Sequence, residues 1–329
     1  MANNRNLNQA KKNKDDEFYT LYSTIEKEIP YYEDQFRDKT VYCNCDDPHW
    51  SNFFRYFIYN FNRLGLRRLI CSCFAGKAIY GVQRDLFHEE KILSAPGLAW
   101  CADIHTVVDA ELPEDKELLD VEKLITLPGN SLTRLRIGDF RSEECLDLLR
   151  QSDIVCTNPP FSLARDFIDL LVREGKEYLF LSNQLLLLCR SAIKEIIAER
   201  CRVGVSLESN IRGGCLFLRE NRIVRLNGVC WITSLLGSLK KKKLHLESTY
   251  CDKKYYTCDN YNAIYIPKVE LIPIDYYGLV SVPVSFLYFE YEDMFRVIGT
   301  TRLYKDLGLN RFPLVNGKKP FDRIIIQRK

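Results

Sequence analysis

Short apolar segments alternate with amphipathic stretches along much of the chain, and this alternation restricts the folds open to it. Residues 40–45 and 69–74 predict two strands, and apolar residues recur at helical spacing between 51 and 64. Ser51 and Gly65 suit the beginning and the end of that helix. A strand, a helix and a second strand in this order predict a parallel β-α-β unit.

The same alternation returns further along the chain. It predicts a helix over 142–151, a buried strand over 153–157, a helix over 163–173 and a strand over 178–182. We therefore expect an α/β fold with a doubly wound, mostly parallel, Rossmann-like sheet. Residues 75–132 lack a clear period and contain several prolines and glycines, so an irregular insertion is predicted there.

The composition of the chain changes after Gly237. Four lysines come first, and they are followed by many tyrosines and prolines and by short β-like runs. We predict one large α/β domain over residues 1–237 and a smaller, mixed α+β region over residues 238–329.

Composition and hydropathy exclude several classes of protein. A chain of 329 residues, 46% of them hydrophobic, can bury a globular core. No run approaches the roughly 18 uninterrupted apolar residues of a membrane span, and the polar start up to Asp16 lacks the hydrophobic stretch of a signal peptide. We expect a cytoplasmic protein without a membrane partner.

The thirteen cysteines lie mostly inside apolar, strand-like runs, which predicts reduced and buried thiols. Cys43, Cys45, Cys71 and Cys73 could meet at neighbouring strand ends. Their Cys-x-Cys spacing is not that of structural zinc sites, so no metal is predicted.

Charge by itself does not identify a partner. The formal net charge is +3, and a protein that binds nucleic acid needs only a local basic face. An uninterrupted basic run at Lys240, Lys241, Lys242 and Lys243 could contact phosphates, although a solvated surface loop is the more common explanation of such a run.

The loop Asn158-Pro159-Pro160-Phe161 follows the predicted strand over 153–157 and precedes a helix. In an open parallel sheet the ligand crevice lies at the carboxyl ends of the strands, where this loop falls. The prolines fix their own φ angles and hold Asn158 in an extended conformation, so the loop is predicted to be stiff.

A stiff loop of this kind suits methyl transfer to an amino group that is conjugated with an aromatic base. The side-chain oxygen of Asn158 and the carbonyl of Pro159 can accept hydrogen bonds from both amine hydrogens, which draws the nitrogen lone pair out of the ring. Phe161 offers a face on which a flipped-out base can stack. A rigid turn without catalytic function is the competing interpretation, and the flanking strand and helix favour the catalytic one.

Further segments extend this interpretation over most of the chain. Besides residues 153–162, they are Asp16-Glu17-Phe18-Tyr19-Thr20, Val41-Tyr42-Cys43-Asn44-Cys45-Asp46-Asp47-Pro48, Gly138-Asp139-Phe140-Arg141-Ser142, Cys258-Asp259-Asn260-Tyr261 and Asn316-Gly317-Lys318-Lys319. In these segments the chain resembles the EcoRI-type family of adenine-specific DNA methyltransferases. The resemblance runs from about residue 15 to the C-terminus and is weakest over residues 75–129.

The resemblance implies methyl transfer from S-adenosylmethionine to the N6 amino group of adenine in duplex DNA, as the modification half of a restriction-modification system. Residues 1–237 would then be the methyltransferase domain and residues 238–329 the target-recognition region. We also expect a monomer, because methylation of one strand at a time needs no two-fold symmetry. A cognate restriction endonuclease is a further expected partner.

The resemblance also implies which residues form the site. Catalysis is expected from Asn158, Pro159, Pro160 and Phe161. Cofactor binding is expected from Phe18, Tyr19, Thr20, Asp46, Asp47, Pro48, Asp139 and Phe140, and DNA binding from Lys240, Lys241, Lys242 and Lys243. Asp139 could accept from the adenine amine of the cofactor while Phe140 packs on that ring; for the ribose, Asp103 is only a weak candidate.

Alternatives stay open at this point. A similar loop can serve N6-adenine methylation of RNA, methylation of a protein glutamine amide, or methylation of cytosine N4, and only the family resemblance favours adenine in DNA. A catalytically silent, cofactor-sensing DNA-binding protein is an alternative from another class. The intact Asn-Pro-Pro-Phe loop disfavours it.

Overall fold

The computed structural model of the protein describes residues 19–75, 81–84, 90–93, 98–206, 215–219, 222–238 and 242–329. Its α-helices are α1 (Tyr22–Glu26), α2 (Asn52–Tyr59), α3 (Phe61–Leu64), α4 (Val121–Leu124), α5 (Glu143–Gln151), α6 (Ala164–Arg173) and α7 (Arg190–Ile197). Within the described ranges no helix is long and apolar enough to span a membrane.

The strands follow one another along the chain as β1 (Tyr19–Thr20), β2 (Thr40–Cys43), β3 (Arg68–Ser72), β4 (Gly81–Arg84), β5 (Glu90–Leu93), β6 (Trp100–Ile104), β7 (Ser131–Arg134), β8 (Ile154–Thr157), β9 (Glu177–Asn183), β10 (Arg202–Val203), β11 (Cys215–Arg219), β12 (Arg222–Leu226), β13 (Val229–Thr233), β14 (Lys242–Lys243), β15 (Tyr256–Cys258), β16 (Tyr261–Tyr265), β17 (Leu279–Val282), β18 (Phe289–Glu290), β19 (Phe295–Thr300) and β20 (Ile324–Arg328). The chain divides into two compact units, Met1–Leu181 with Gly213–Asn227 and Ser182–Arg212 with Gly228–Lys329.

The main sheet of the first unit has the strand order β9-β8-β2-β3-β6-β7. Strands β9, β8, β2 and β3 run parallel to one another. Strand β6 is antiparallel to β3, and β7 is antiparallel to β6. The predicted α/β class is confirmed as a mixed α/β fold with several sheets, and the expectation of a mostly parallel sheet is corrected to a mixed one.

The antiparallel strands come from the stretch predicted to be irregular. All of β6 and the beginning of β7 lie in the described part of residues 75–132. Parallel neighbours need a long crossover, usually a helix, whereas antiparallel strands can return directly and leave a weaker signal in the sequence. β6 also carries Asp103, whose carboxylate accepts two hydrogen bonds of 2.7 Å from the Arg68 guanidinium, so its apolar pattern is interrupted.

The helix predicted over residues 51–64 is confirmed as two consecutive helices, α2 and α3, which meet at Asn60. The Ser51 side chain caps α2 by accepting hydrogen bonds from the backbone N–H groups of Phe53 and Phe54. Gly65 ends α3 with φ 64°, a conformation that glycine adopts without strain. The apolar side chains of α2 are buried in the core of the first unit.

A second, smaller sheet of the first unit has the order β1-β11-β12. Strands β11 and β12 form an antiparallel hairpin, and β1 pairs with β11 so that Thr20 lies opposite Phe217. The amino-terminal strand is therefore held by a hairpin that follows it by almost two hundred residues.

The second unit is built on the sheet β15-β16-β17-β20-β19. Its core includes Val280 and Val282 of β17 and residues 324–326 of β20, all fully or almost fully buried. Strands β10 and β13 pair antiparallel, and the short β14 pairs parallel with β18.

Candidate active site

A cleft of about 250 Å³ opens in the first unit at the carboxyl ends of the parallel strands β2, β3 and β8. Such an edge is where open α/β sheets bind their ligands. The cleft is lined by residues 19–20, 44–47, 51–53, 73–74 and 138–141, together with Asn158, Pro160 and Leu163. The fold thus assembles it from segments that are far apart in the sequence.

The cleft brings together most of the residues predicted for the site. Those that line it are Tyr19, Thr20, Asp46, Asp47, Asp139, Phe140, Asn158 and Pro160, whereas Pro48, Pro159 and Phe161 do not. Phe18, Lys240 and Lys241 lie outside the described residues. Lys242 and Lys243 form β14 in the second unit, and both are exposed.

Asp46 connects three elements beneath the cleft. Its Oδ1 accepts a hydrogen bond of 2.7 Å from Ser51 Oγ, and its Oδ2 accepts one of 2.5 Å from Thr157 Oγ1. The backbone N–H of Asn158 also donates to this carboxylate. Asp46 therefore holds the start of the loop at 158–161 against the cap of α2, and its predicted contact with a cofactor stays a prediction.

Burial raises the pKa of Asp46 to about 6, against the opposing effect of the hydrogen bonds from Thr157, Ser51 and Asn158. The unfolded value is about 3.9, so the folded protein binds more protons than the unfolded chain between roughly pH 4 and pH 6. Through this group alone, the free energy of unfolding falls as the pH rises across that window.

An Asp46→Asn variant carries no charge at this position at any pH. We expect its free energy of unfolding to improve relative to the wild type as the pH rises from about 4 to about 7. Urea titrations at both pH values measure the difference, and Asp34→Asn, at an exposed position, controls for the loss of one carboxylate. A gap between wild type and variant that does not change with pH would contradict this account.

Two further carboxylates of the cleft already have basic neighbours. Asp47 Oδ1 lies 2.9 Å from His49 Nδ1 and accepts a hydrogen bond of 2.9 Å from the His49 backbone N–H. Asp139 accepts two hydrogen bonds from the Arg141 guanidinium, at 2.9 and 2.8 Å. Arg141 thereby holds the pKa of Asp139 below its usual value.

In the described part of the chain, no cluster of three or more His, Cys, Asp or Glu side chains could hold a metal ion.

The turn before α5 packs directly on the end of β3. Gly138 has φ +69°, and a Cβ atom at this position would lie 1.9 Å from the backbone oxygen of Cys73. Glu144, in the first turn of α5, accepts hydrogen bonds from the backbone N–H groups of residues 136, 137 and 138 at 2.8–2.9 Å. The glycine of the Gly-Asp-Phe segment is therefore required by a close backbone approach.

Sequence reasoning missed Asn44, which is only 2% exposed and lines the cleft. Neither its Nδ2 nor its Oδ1 meets a hydrogen-bond partner in the described chain, and the same holds for Oγ1 of the buried Thr20. Buried polar atoms are nearly always paired, because leaving one unpaired costs about 1–3 kcal/mol. Asn44 and Thr20 are thus buried polar residues of the cleft wall with side-chain atoms that remain unpaired within the described chain. The available signal was a polar residue between the buried Cys43 and the Asp46-Asp47 pair.

Phe140 and Phe74 both line the cleft, but they differ in exposure. Phe140 is 4% exposed, and its ring packs edge-on against Phe167 with 5.3 Å between the centroids. Phe74, which follows β3, lines the same cleft and is 54% exposed. Phe74 is therefore better placed than Phe140 to offer a ring face to a ligand.

Phe161 lies beside the small sheet of the first unit. Its ring meets that of Phe217 edge-on, with centroids 6.1 Å apart and an angle of 89° between the planes. Phe217 is fully buried and lies opposite Thr20 in the pairing of β1 with β11. The loop at 158–161 thus contacts β11, the strand that pairs with Tyr19 and Thr20 of β1.

A mixed α/β sheet with a polar cleft and an Asn-Pro-Pro-Phe loop at the carboxyl ends of its parallel strands is typical of methyltransferases that act on amino groups. The chain belongs to the family described as adenine-specific methyltransferase EcoRI, whose model matches residues 6–329. The predicted family and enzyme class are thereby confirmed.

Individual relatives agree with this assignment. The type II methyltransferase M.EcoRI of Escherichia coli is 36% identical over 343 residues, which cover 100% of this chain and 98% of that protein. M.MgeORF184P of Mycoplasma genitalium is 29% identical and covers 98% of both chains. M.MpnI of Mycoplasma pneumoniae is 31% identical, over 85% of this chain and 81% of its own. No solved structure matches the chain significantly.

Proposed function

We propose that the protein transfers a methyl group from S-adenosylmethionine to the N6 amino group of adenine in duplex DNA, as the modification enzyme of a restriction-modification system. The observation that carries this proposal is the position of Asn158, which lines the cleft at the carboxyl end of β8 while Asp46 accepts from its backbone N–H. The family supports adenine as the target, and the relatives' description as type II methyltransferases supports DNA modification.

Bound S-adenosylmethionine would supply an electrophilic methyl group. The Asn158 side-chain oxygen and the Pro159 carbonyl accept hydrogen bonds from the two amine hydrogens, so that the nitrogen lone pair is drawn away from the adenine ring. The two prolines restrict the loop and keep both acceptors in place. Phe161, supported edge-on by Phe217, offers a face to the flipped base.

The polar atoms of the cleft fit a donor that carries an amino acid, a ribose and an adenine. The Asn44 amide offers a donor and an acceptor without partners in the described chain, and Thr20 adds a buried hydroxyl. We assign these two residues to the methyl donor together with Tyr19, Asp47 and Asp139. The exposed ring of Phe74 would cover its adenine.

An Asn44→Ala variant tests this assignment because its stability and its affinity for the ligand should respond differently. Removing a buried amide that has no partner should leave the free energy of unfolding of the ligand-free protein unchanged or slightly higher. The affinity for S-adenosylhomocysteine should nevertheless fall about tenfold or more, because two hydrogen bonds are lost. Titration calorimetry measures that affinity directly.

Thr20→Val is the companion variant, and Asn60→Ala, whose amide donates to the Tyr56 carbonyl, is the control outside the cleft. If Asn44→Ala bound the ligand as the wild type does and unfolded more readily, Asn44 would be a packing residue only.

The domain assignment is also a proposal. Residues 1–237 would form a Rossmann-like methyltransferase domain in which the main sheet of the first unit ends in two antiparallel strands. Residues 238–329, which lie entirely in the second unit, would read the target sequence. The exposed Lys242 and Lys243 are candidates for phosphate contacts there.

The decisive experiment incubates the full chain with radiolabelled S-adenosylmethionine and, in separate reactions, with unmethylated duplex DNA, RNA and a protein extract. Nucleoside analysis should recover the label as N6-methyladenine from DNA. Label in RNA or protein alone would overturn the substrate but keep the loop chemistry. Label at cytosine N4 would overturn the target base, and the absence of label from all three would overturn catalysis.

A further inference from the structure

A short hairpin near the end of the second unit presents basic side chains on a fixed backbone. Val315 and Lys318 exchange two backbone hydrogen bonds, of 2.9 and 3.1 Å. Between them, Asn316 and Gly317 both have positive φ, 50° and 71°. Two such residues form the tight turn that matches the twist of a hairpin, so the direction of Lys318 and its neighbours is set by the backbone.

A second turn holds this hairpin from behind. The Asp259 carboxylate accepts hydrogen bonds from the backbone N–H groups of Asn316 and Gly317, at 3.2 and 2.7 Å. Asn260 donates to the Phe312 carbonyl at 3.1 Å and accepts from the Leu314 N–H at 2.8 Å. Two segments that are separated by more than fifty residues thus form one rigid structure.

The charge around the hairpin is unbalanced. Residues 301–322 contain five basic residues and two aspartates. One aspartate, Asp322, pairs with Arg302 at 2.9 Å, and the other, Asp306, pairs with Arg190 of α7 at 2.8 Å.

The basic residues that remain in this segment are exposed. Lys305, Arg311 and Lys318 have no ion-pair partner within the described ranges, and Lys319 lies 3.6 Å above the Phe312 ring and only 3.8 Å from the already paired Asp322. The segment therefore presents more cations than acids to solvent, and the nearby Asp259 carboxylate is engaged by the backbone N–H groups of Asn316 and Gly317.

An exposed apolar side chain follows Lys318 and Lys319 closely in the sequence. Phe321 is 85% exposed, more than any other large apolar side chain in the described chain. A partner that covered this ring would gain the free energy of removing a large apolar side chain from water. An excess of exposed cations next to an exposed aromatic ring is typical of surfaces that bind nucleic acid, where lysines contact phosphates and an aromatic ring wedges against a base step.

We infer that Lys305, Arg311, Lys318, Lys319 and Phe321, which we call the hairpin surface, bind duplex DNA outside the target base. This inference rests on the proposed function insofar as duplex DNA is the substrate. The lysines and the arginine contact phosphates and set affinity and salt dependence, and Phe321 contacts a base step. A membrane surface would also attract cations and an aromatic ring, but membrane-binding surfaces generally present a broad apolar face, whereas this one offers a single ring.

The test measures the affinity of the full chain for a fluorescein-labelled duplex by anisotropy at several salt concentrations. Each lost phosphate contact should lower the slope of log affinity against log salt by about one. Lys318→Ala and Arg311→Ala are therefore each expected to weaken binding to all duplex sequences and to reduce the slope by about one. Lys318→Arg should retain the slope, and Lys27→Ala, at an exposed position of the first unit, is the matched control.

Phe321→Ala should weaken binding severalfold without changing the slope, because it removes no charge. Tyr256→Ala, at a side chain that is 65% exposed in the same unit, is its control. Wild-type slopes in both Lys318→Ala and Arg311→Ala would overturn the inference, as would binding of the wild type to phosphatidylserine vesicles in preference to DNA.

Methyl transfer assayed on the same preparations separates this inference from the proposed function. If the wild type labels DNA while the variants keep its slope, the inference alone fails. If the wild type binds DNA and the variants show the predicted changes in slope, but the wild type labels no adenine, the proposed function fails and the surface stands. If it binds no duplex, both fail.

Discussion

An Asn158→Ala variant is expected to lose methyl transfer by roughly 100- to 1,000-fold or more. The substitution removes the side-chain oxygen that accepts from the amine hydrogen. It leaves the backbone N–H through which Asp46 holds the loop, so the fold and the cleft should persist. We expect the affinities for S-adenosylhomocysteine and for duplex DNA to change much less than the rate of transfer, because the acceptor contacts only the target amine, while the rest of the duplex and the methyl donor are bound by other residues. Single-turnover transfer of label into DNA, with calorimetry and anisotropy for the two ligands, measures the three quantities.

Two further variants sharpen the interpretation of Asn158. Asn158→Asp keeps an acceptor oxygen and should retain part of the activity, whereas Asn60→Ala removes an amide elsewhere in the same unit and should retain all of it. Wild-type turnover in Asn158→Ala would refute the assigned chemistry. A selective loss of donor binding would instead make Asn158 a residue of the donor site.

A Gly138→Ala variant is expected to lose about 3 kcal/mol or more of its free energy of unfolding. The new Cβ would lie 1.9 Å from the Cys73 backbone oxygen and 2.9 Å from the Ala99 Cβ, at φ +69°. Neither atom belongs to the end of a flexible side chain, so the backbone itself must move. Because Cys73 and residues 138–141 line the cleft, binding of S-adenosylhomocysteine should fall as well.

A Gly175→Ala variant separates the cost of the steric clash at Gly138 from the cost of its left-handed backbone conformation. Gly175 also has positive φ, +62°, but a Cβ atom there meets nothing within 4 Å. Its replacement should cost only the strain of the left-handed conformation, about 1–2 kcal/mol. Equal losses in the two variants, measured by urea unfolding, would show that contact with Cys73 is not what requires glycine at position 138.

The elements that the sequence predicts well are those with strong periodicity. The two helices between 52 and 64, the helix Glu143–Gln151 and the strand Ile154–Thr157 all lie within two or three residues of expectation. Each buries an apolar face that repeats along the chain, and the caps at Ser51 and Gly65 are local interactions. Local chemistry alone is enough to specify such elements.

The elements that it predicts poorly depend on distant partners. Strand β6 is stabilised by pairing on both sides and by the Arg68 contact to Asp103, none of which is visible in a local window. The same limit applies to side-chain environment. The sequence predicts Phe140 as a stacking residue, and only the packing shows that it is nearly buried against Phe167 while Phe74 is exposed.

By itself, the sequence determined the α/β class, the stiff Asn-Pro-Pro-Phe loop after a buried strand, and the family. These follow from local periodicity, from the fixed φ of proline and from motifs. Only the tertiary structure showed that Asp46 holds the loop rather than simply facing the cleft, that Asn44 lies buried in the cleft wall, and that Asp259 sets the hairpin at 315–318. Hydrogen bonds between residues 58 and 111 positions apart depend on how the strands are arranged, and that arrangement leaves no local trace in the sequence.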